Sequence, residues 1–438
     1  MVRVTFCIKL SVYFKIHFRV FGYQPFKGSI PVVSRHSISM VLEERLMEDV
    51  VISADSDQDK LEQTSGLISF KLESKSHLPY LLGERDPIKF IQTQTGVSTG
   101  TDGNNGYYVR GGGIDQNAIE LDHMEFYNTN HLFGFFSTFS ATSVDRAEFM
   151  KGGYPAHVGG RLSSTLSLHT VSPDIQDFQG SFSVGVLAAN LHLETPVIKD
   201  RSGLMVSYRR SYFDLITQNF FSEESSLRRS TNYRFSDMII KYEHQVNEKN
   251  TISFTGFTGG DFNDFQSSRT FANQIDWTTS NVGITWNSLI NEETDFEFYF
   301  NAGHFTQNFR ADISSFGIAL NSDITNWKTG FLLFHNLGDH EFTFGANWIN
   351  RRFKPNQVSI NISDEASTLD EATYIYTSEW SGSVDDYWQV SERLRVGLGS
   401  SPAVPRGRPS WRDARRFGPP RAWARAPATP PWPQPGGC

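Results

Sequence analysis

The chain has 438 residues, a formal net charge of −8 and a mean hydropathy of −0.37, and 14% of its residues are aromatic. No apolar run reaches the roughly 18 residues that a transmembrane helix needs. The two cysteines, Cys7 and Cys438, stand at opposite ends of the chain, so no disulfide framework is indicated. Residues 400–438 hold seven arginines and one aspartate, which leaves the remainder more acidic than the whole and argues against a nucleic-acid partner.

The length allows two or three domains. Many aromatic residues together with low mean hydropathy fit strands whose side chains alternate between lipid and lumen, as in a transmembrane β-barrel. A soluble β-rich protein with many aromatic residues would have the same composition, so composition leaves both classes open.

Residues 2–20 alternate between apolar and polar side chains. The apolar positions are Val2, Val4, Phe6, Ile8, Leu10, Val12, Phe14, Ile16, Phe18 and Val20. A period of two predicts a half-buried strand or a pair of strands. Charged residues at Arg3, Lys9 and Lys15 interrupt any apolar core, so the segment does not have the pattern of a signal peptide.

Residues 47–54 read MEDVVISA, with two acidic residues followed by three β-branched ones. A short extended segment of this kind can add as a strand to the sheet edge of a partner. An ordinary short strand between two domains is the alternative.

The stretch Asp86–Gln94 predicts a short helix. Asp86 is a suitable N-cap, Pro87 suits the first helical position, and Gly96 can end the helix. A second short helix is expected near Ser140–Arg146, before a strand at Ala147–Met150. Short helices mixed with short strands predict a small α+β domain.

The segment Tyr107–His169 contains three glycine clusters, each beside an arginine or lysine. The clusters and their charged neighbours are Arg110 with Gly111, Gly112 and Gly113; Lys151 with Gly152 and Gly153; and Gly159 and Gly160 with Arg161. Clustered glycines mark positive φ or close approach of another segment, which indicates a compact domain fitted inside something else. No Gly-Lys-Ser/Thr sequence follows them, which argues against a phosphate-binding loop.

From Phe178 onward the sequence predicts about ten strands. Short turns are expected near residues 196–203, 246–250, 291–294, 337–339 and 391–393, and long polar loops near 214–233, 261–276, 308–325 and 353–372. Short turns alternating with long loops are typical of an outer-membrane barrel. A soluble β-sandwich has the same alternation within its strands but less reason to place every long loop at one end.

Residues 400–438 contain ten of the 18 prolines. This composition predicts an unstructured tail that forms neither strand nor core, and we interpret it as an out-of-frame or foreign segment. A basic nucleic-acid-binding tail is the alternative.

The sequence offers no pattern for catalysis or metal binding. The 12 histidines are scattered, no Cys/His set has metal-ligand spacing, and no nucleophile elbow is present. An enzyme is therefore not predicted, and neither a metal nor a cofactor is expected. The acidic residues Asp364, Glu365, Asp370 and Glu371 are interpreted as part of a solvated loop rather than a cation site.

The order of the motifs strongly resembles the plug domain of TonB-dependent outer-membrane receptors, and most closely their Bacteroidetes-type branch. The resemblance rests on YVRGGG at 108–113, a strand ending in an aspartate, NTNHLFGFFS at 128–137, and EFMKGGYPAHVGGRLSS at 148–164. It extends from about Tyr23 to Gly399.

This resemblance implies an α+β plug domain at 57–172 and the N-terminal part of an antiparallel transmembrane β-barrel at 176–399. Residues 1–45 resemble the remnant of a carboxypeptidase-regulatory-like β-sandwich, and residues 46–56 would hold the TonB box and a linker. Receptors of this family need an export signal, and their complete barrels have more than about ten strands, so we expect a chain truncated at both ends. An open sheet with unpaired edges is not expected to transport alone.

By the same resemblance, the function is energised uptake of a siderophore, cobalamin or glycan across the outer membrane. The implied partners are the TonB energy-transducing complex, outer-membrane lipid, the ligand and, as a further candidate, a surface lipoprotein. The partner-binding residues would be Glu48, Asp49, Val50, Val51, Ile52 and Ser53. The plug motif would comprise Arg110, Gly111, Gly112, Gly113, Asp122, Lys151, Gly152, Gly153, Gly159, Gly160 and Arg161.

We also expect Arg110 and Arg161 to anchor the plug to acidic groups on the barrel wall. The alternative function is a soluble or surface-attached β-rich module, such as a glycan-binding adhesin. A receptor that signals through its N-terminal domain is a third possibility.

Overall fold

The computed structural model describes residues 3–6, 13–20, 26–31, 36–39, 67–72, 80–81, 84–99, 106–131, 134–222, 225, 232–268, 271–313, 316–362, 365–368, 374–392 and 394–409. Within these ranges the chain is mostly β-strand, with two α-helices. None of the described helices is both long enough and apolar enough to cross a membrane.

The strands before residue 67 are β1 (Arg3–Phe6), β2 (Tyr13–Val20), β3 (Phe26–Pro31) and β4 (His36–Ser39). Residues 67–170 contribute β5 (Leu67–Lys71), β6 (Tyr80–Leu81), β7 (Glu84–Arg85), helix α1 (Pro87–Gln92), β8 (Val97–Thr99), β9 (Tyr107–Val109), a 3-10 turn (Ile114–Gln116), β10 (Asn117–Leu121), β11 (Met124–Glu125), β12 (Asn130–His131), β13 (Phe136–Ser137), β14 (Val144–Met150) and β15 (Ser164–Thr170).

Residues 179–409 contribute β16 (Gln179–Val184), β17 (Ala188–Ile198), β18 (Ser202–Ser211), helix α2 (Phe213–Phe220), β19 (Asn232–Asn247), β20 (Asn250–Ser268), β21 (Phe271–Asn291), β22 (Thr294–Ile313), β23 (Phe316–Leu337), β24 (His340–Ile362), β25 (Glu365–Thr368), β26 (Ile375–Ser391), β27 (Leu394–Ser400) and β28 (Ala403–Pro409).

Helix α1 begins where the sequence predicts. The Asp86 carboxylate accepts hydrogen bonds from the backbone N–H groups of Ile88 and Lys89, at 2.8 and 3.2 Å. It also accepts one at 2.6 Å from the N–H of Ser137, 51 residues away. One buried side chain therefore caps the helix and ties it to β13.

A five-stranded sheet forms the centre of residues 67–172, which we call the inner domain. Its strand order is β11-β10-β15-β14-β5, with β10 and β15 parallel and the other pairs antiparallel. Fully buried residues of the sheet, including Phe149 and Leu166, pack with Ile88 and Ile91 of α1.

The helix predicted near Ser140–Arg146 is not formed. Residues 141–143 are a turn, and β14 begins at Val144. The Ser143 hydroxyl donates to the Ser140 carbonyl at 2.9 Å. Side chains that bond to nearby backbone in this way favour turns over helix.

The second sheet is much larger, with 15 strands in the order β27-β26-β24-β23-β22-β21-β20-β19-β18-β17-β16-β2-β3, and with β25 and β28 beside β24 and β26. We call strands β16–β24, β26 and β27 the wall. Consecutive wall strands pair antiparallel. Apart from the short β25, the wall contains eleven strands, in agreement with the predicted number of about ten.

Wall residues alternate between a buried inner face and an exposed outer face. In β19, Phe235, Asp237, Ile239 and Lys241 are buried, while the residues between them are partly exposed. Large apolar residues at the outward positions are Tyr208, Ile252, Phe254, Val282, Ile284, Trp286, Phe298, Trp327, Phe331, Phe344, Trp380, Val384 and Trp388. We call this set the apolar band.

The short turns occur where predicted, but most of the long loops do not. Strands β20 and β21 pair up to Gln266 and Ala272, and β22 and β23 up to Ile313 and Phe316. Segments that look like polar loops are therefore continued hairpin arms. Beyond the apolar band neither face of a hairpin is buried, so polar residues on both faces are compatible with paired strands.

Of the four N-terminal strands, β2 and β3 join the large sheet, whereas β1 and β4 form a two-stranded sheet of their own. Strand β2 pairs antiparallel with β3 and parallel with β16, and β1 pairs with β4. The period of two over residues 2–20 thus correctly predicts strands at Arg3–Phe6 and Tyr13–Val20.

The prediction that residues 400–438 are unstructured is wrong for the first part of this segment. Strand β28 pairs with β26 from Ser381↔Ala403 to Ile375↔Pro409. Pro405 and Pro409 lie four residues apart, so their nitrogens point to the same side of the strand. Proline is compatible with an edge strand when that side lacks a ladder partner. Residues 410–438 lie outside the described residues.

Candidate functional site

The three glycine clusters converge at one end of the inner domain. A Cβ on Gly112 would lie 2.3 Å from the Ser163 Oγ. Because Gly112 has no side chain, the segment that follows Gly159 and Gly160 can pack directly against the first glycine cluster. Gly152 has a φ of +146°, and a Cβ there would lie 2.7 Å from an Arg110 Nη atom. Arg110 itself has a positive φ of +49°. The clusters therefore pack against one another.

The remaining glycines of the motif differ in their surroundings. Gly111, Gly153 and Gly160 have positive φ, the Cβ position of Gly113 faces Asp115, and that of Gly159 is open. Lys151 donates to the Thr95 carbonyl at 2.8 Å, which ties the second cluster to the turn after α1.

The expectation that Arg110 and Arg161 anchor to acidic wall residues is not met. Both are exposed, and in the described part of the chain neither forms an ion pair with the wall. Arg161 contacts the Gly160 carbonyl at 3.3 Å. The arginines stand at an exposed end of the inner domain, so the inner domain meets the wall through other side chains.

Asp122 follows β10 with a φ of +46° and does reach the wall. Its carboxylate accepts hydrogen bonds from the Thr170 N–H and hydroxyl and, at 3.0 Å, from the Thr255 hydroxyl of β20. Burial alone would raise its pKa, but Lys241 and the Thr170 hydrogen bonds outweigh burial and hold the pKa below its ordinary value. Asp122 therefore links the inner sheet to β19 and β20 as a carboxylate.

Two buried ion pairs join acidic residues of the inner domain to basic residues of the wall. Lys328 of β23 contacts Glu120 at 2.7 Å. Arg351 of β24 contacts Glu125 through two nitrogens, at 2.6 and 3.1 Å. The sign of the charges is the reverse of what we expected, because the inner domain supplies the carboxylates.

Another connection is centred on His131, whose ring is fully buried between the inner domain and the wall. One ring nitrogen lies 2.8 Å from Asp237 of β19, and the other contacts Asp261 of β20. Arg209 of β18 donates to Asp237 and, at 2.6 Å, to the Ser137 carbonyl. The Tyr233 hydroxyl donates to Asp261 at 2.7 Å. We call these five side chains the His131 cluster.

Both ring nitrogens of His131 face a carboxylate, so both carry protons and the ring is a cation. The ring stacks against Phe235 and Trp277, with centroid distances of 4.4 and 5.2 Å. Burial would lower the pKa of His131, but the carboxylates of Asp237 and Asp261 outweigh burial and raise the pKa to about 9. Two cations and two carboxylates thus neutralise one another in the His131 cluster.

This arrangement predicts a loss of stability at alkaline pH. The pKa of His131 rises from 6.5 to about 9 on folding, so its contribution is fully present below about pH 6.5 and disappears as the pH passes about 9. We expect the free energy of unfolding to fall in that window. Urea unfolding in detergent micelles between pH 6 and 10 measures it, with His131→Leu as control. An equal pH dependence in both proteins would contradict the assignment.

A further connection involves the loop after the second glycine cluster. The Asp385 carboxylate of β26 accepts from the backbone N–H groups of Ala156 and His157, at 2.5 and 3.3 Å, and lies 3.2 Å from the His157 ring. Contacts therefore reach from β18 to β26 and hold the inner domain across most of the wall.

A cavity of about 390 Å³ remains between the inner sheet and strands β22–β26. Its charged lining includes Glu120, Glu125, Glu148, Glu297, Glu379, Arg146 and Lys328. Carboxylates outnumber cations, so this gap is polar and net acidic. On the opposite side, Met205, Ile239 and Phe257 of the wall belong to the apolar core of the inner domain. The inner domain is therefore attached by apolar packing on one side and by ion pairs on the other.

Among the described residues no group of three or more His, Cys, Asp and Glu could hold a metal ion. The acidic stretch around residues 364–371 is described only at 365–368, and the segment Glu48–Ser53 lies outside the described residues.

Sequence reasoning missed the His131 cluster and the two ion pairs. The available signal was a charged residue at an inward strand position, such as Asp237 and Lys241 in a segment whose alternate residues are apolar. Such a signal identifies the face but not the partner, which lies more than 100 residues away for His131.

No protein-family model and no curated protein matches the sequence. Solved structures share its fold at low sequence identity. The siderophore receptor PirA from Acinetobacter baumannii is 13% identical, with a TM-score of 0.55 over 80% of this chain and 58% of that protein. The ferric citrate transporter FecA is 10% identical, with a TM-score of 0.59 over 81% and 58%. The ferric yersiniabactin uptake receptor FyuA from Yersinia pestis is 11% identical, with a TM-score of 0.59 over 79% and 61%.

The chain has the fold of TonB-dependent outer-membrane receptors. It spans about 60% of the length of these receptors. These neighbours are receptors and transporters rather than enzymes, in agreement with the sequence-based expectation. Their shared fold is a mostly β structure with a large antiparallel sheet.

Proposed function

We propose that the chain is the plug domain and part of the barrel wall of an outer-membrane receptor that takes up a ligand with energy from the TonB complex. The observation that supports this proposal most strongly is a small domain with charged contacts, held on the inner face of a sheet whose outer face is an apolar band. A strand-built membrane protein requires that outward band, and a polar interior can surround a plug.

The polar side of the interface is the side at which the plug can move. Ion pairs and hydrogen bonds there can be exchanged for water-mediated ones without exposing apolar surface. Release of Glu120 and Glu125 from Lys328 and Arg351 would widen the cavity beside them. We therefore place the uptake path between the inner sheet and strands β22–β26.

We assign residues 57–172 to the plug and 176–399 to the N-terminal part of the barrel. Residues 1–45 and 46–56 are proposed, from the resemblance alone, as a remnant of the carboxypeptidase-regulatory-like domain and as a TonB-box segment with its linker. The proposed contact with TonB is an added strand formed by Glu48–Ser53. A surface lipoprotein remains a candidate partner.

The ligand class is proposed from the neighbours. These proteins are named for a siderophore, ferric citrate and ferric yersiniabactin, so a metal chelate is the first candidate, followed by cobalamin and glycans. The apolar band is unfavourable for the alternative, a soluble glycan-binding module, because that module would expose the band to water.

Quenching by brominated lipid tests whether the wall faces a bilayer. We expect a variant whose only tryptophan is Trp327, which is 46% exposed on the outer face, to lose fluorescence in brominated phosphatidylcholine vesicles. The matched control retains only Trp277, which is 5% exposed and packs against His131; it should be quenched far less. A chain that stays in the soluble fraction, or equal quenching of both variants, would contradict the proposal.

A further inference from the structure

On the outer face of strands β18–β21, the polarity of the side chains changes from one end of the strands to the other. We call the residues that pair in register across these strands a row. Residues in register across these strands form Leu204, Tyr242, Phe254 and Ile284 in one row and Val206, Ile240, Gly256 and Val282 in the next. The following row contains Tyr208, Met238, Thr258 and Ser280, and the one after it contains Arg210, Ser236, Gly260 and Thr278. Apolar rows therefore give way to hydroxyl groups and then to a cation.

A second arginine stands one row further along. Arg234 pairs in register with Phe262, and Arg210 pairs with Ser236, two residues from Arg234. Diagonal neighbours of this kind have Cβ atoms roughly 7–8 Å apart. Two long guanidinium side chains at that spacing can reach a single anionic group.

Both guanidinium groups retain hydrogen-bond donors. The Arg234 guanidinium lies over the Phe262 ring, 4.5 Å from its centroid, and within the described residues no carboxylate is close enough to form a salt bridge with it. Arg210 uses one nitrogen to contact Asp214 at 2.8 Å, which leaves other donors of its planar fork. Stacking on an aromatic ring uses the face of the Arg234 guanidinium, so the N–H groups in its plane are still able to donate hydrogen bonds.

A crevice of about 350 Å³ opens between these side chains. It is lined on the outer face by Tyr208, Arg210, Arg234, Ser236, Thr258 and Thr278. Gly260 contributes its floor, where a Cβ would lie 2.2 Å from the Trp277 carbonyl oxygen. The absence of a side chain there keeps the crevice open, with hydroxyl groups on both sides.

We propose that this crevice binds the phosphorylated head group of a lipid in the outer leaflet, an inference that rests on the proposed membrane location. The order of rows matches such a lipid from acyl chains to phosphate, and guanidinium groups recognise phosphate through paired N–H donors. A free phosphate ion would gain nothing from the apolar rows beside the arginines. The apolar rows and the two cations together therefore favour a lipid over a soluble anion.

Binding of lipid A to the full chain in detergent micelles tests this inference. We expect the double variant Arg210→Gln with Arg234→Gln to bind lipid A at least about tenfold more weakly, since it removes two surface cations that attract an anionic lipid. The double lysine variant should recover part of the affinity, because lysine keeps the charge but not the fork. Inorganic phosphate at millimolar concentration should not displace the lipid.

The control is Arg310→Gln, which removes an exposed arginine paired with Asp312 on the β22 hairpin arm. Its lipid affinity should match that of the unmodified chain. Unchanged affinity in the double glutamine variant, or displacement of the lipid by inorganic phosphate, would overturn the inference. If the chain is inserted in vesicles but binds lipid A no better than the double variant, the inference fails while the proposed function stands. Failure of insertion would instead refute the proposed function.

Discussion

Replacing His131 with leucine should destabilise the folded chain by about 3–5 kcal/mol, the cost typical of removing one partner from a buried charge network. The imidazolium contacts both Asp237 and Asp261 in a fully buried position. The substitution removes the imidazolium from Asp237, which also contacts Arg209, and from Asp261, which also accepts from the Tyr233 hydroxyl. Loss of a buried cation that faces two buried carboxylates accounts for most of the expected loss. Urea unfolding in detergent micelles, followed by tryptophan fluorescence, measures it.

His123 provides a matched control for this substitution. It also pairs with a wall carboxylate, Glu297, at 2.9 Å and stacks on Tyr299, but about a quarter of its side chain is exposed. We expect His123→Leu to cost only about 1 kcal/mol or less, because solvent reaches this partly exposed pair and screens it. The double change His131→Leu with Asp261→Asn should recover part of the stability. Equal costs for the two single histidine variants would show that the His131 cluster does not hold the inner domain to the wall.

Removing Arg351 is expected to have the second large effect. Arg351→Met should destabilise the chain by about 3–5 kcal/mol, because it leaves the Glu125 carboxylate buried without its main partner. Burial would raise the pKa of Glu125, and Arg351 now outweighs burial and holds the pKa below its ordinary value. Without Arg351 the carboxyl group should bind a proton at a higher pH. Hydrogen exchange of the β11 amides should also accelerate, since this short strand is held by the pair.

A double-mutant cycle separates the pair from other effects of the arginine. Adding Glu125→Gln to Arg351→Met should restore much of the lost stability, because the unpaired charge is gone. The contact of Arg351 with Glu379, at 3.5 Å, lies within the wall and is not affected by the second change. Arg310→Met, which breaks an exposed pair, serves as control and should cost about 0–1 kcal/mol. Simple additivity of the two changes would mean that Glu125 and Arg351 are not coupled.

Local features of the fold could be predicted from the sequence because their causes lie within a few residues. Asp86 followed by Pro87 sets the start of α1, since a carboxylate cap and a fixed φ act over a single turn. Alternation of apolar and polar residues over residues 2–20 correctly predicted the strands Arg3–Phe6 and Tyr13–Val20. The short turns of the wall hairpins were recognised for the same reason.

Predictions from the sequence were wrong where the same local sequence pattern is compatible with two different tertiary structures. Polar segments such as 261–276 are compatible with a loop or with paired hairpin arms beyond the apolar band, and only pairing with the neighbouring strands decides between them. Ala403–Pro409 has a composition unfavourable for a strand, yet an available edge of β26 accepts it. The turn at residues 141–143 replaced the expected helix because hydroxyl groups there bond to nearby backbone.

The contacts between the inner domain and the wall could not be predicted from one sequence. Glu125 and Arg351 are separated by 226 residues, and His131 and Asp261 by 130. Each looks like an ordinary charged residue in its own segment. The expectation for Arg110 and Arg161 was wrong because a position beside a glycine cluster says nothing about which end of the domain faces the wall.

By itself, the sequence determined which residues alternate on strands, where hairpins turn and where α1 begins, because those features depend on neighbours within one or two turns of chain. Its motif order also determined the resemblance to the receptors whose fold the structure shares. Only the tertiary structure decided which charged side chains on the inner face of the wall form ion pairs with the inner domain. Such pairs depend on the register of distant strands. A buried side chain can stay ionised at low cost only when that register brings an oppositely charged partner into contact with it.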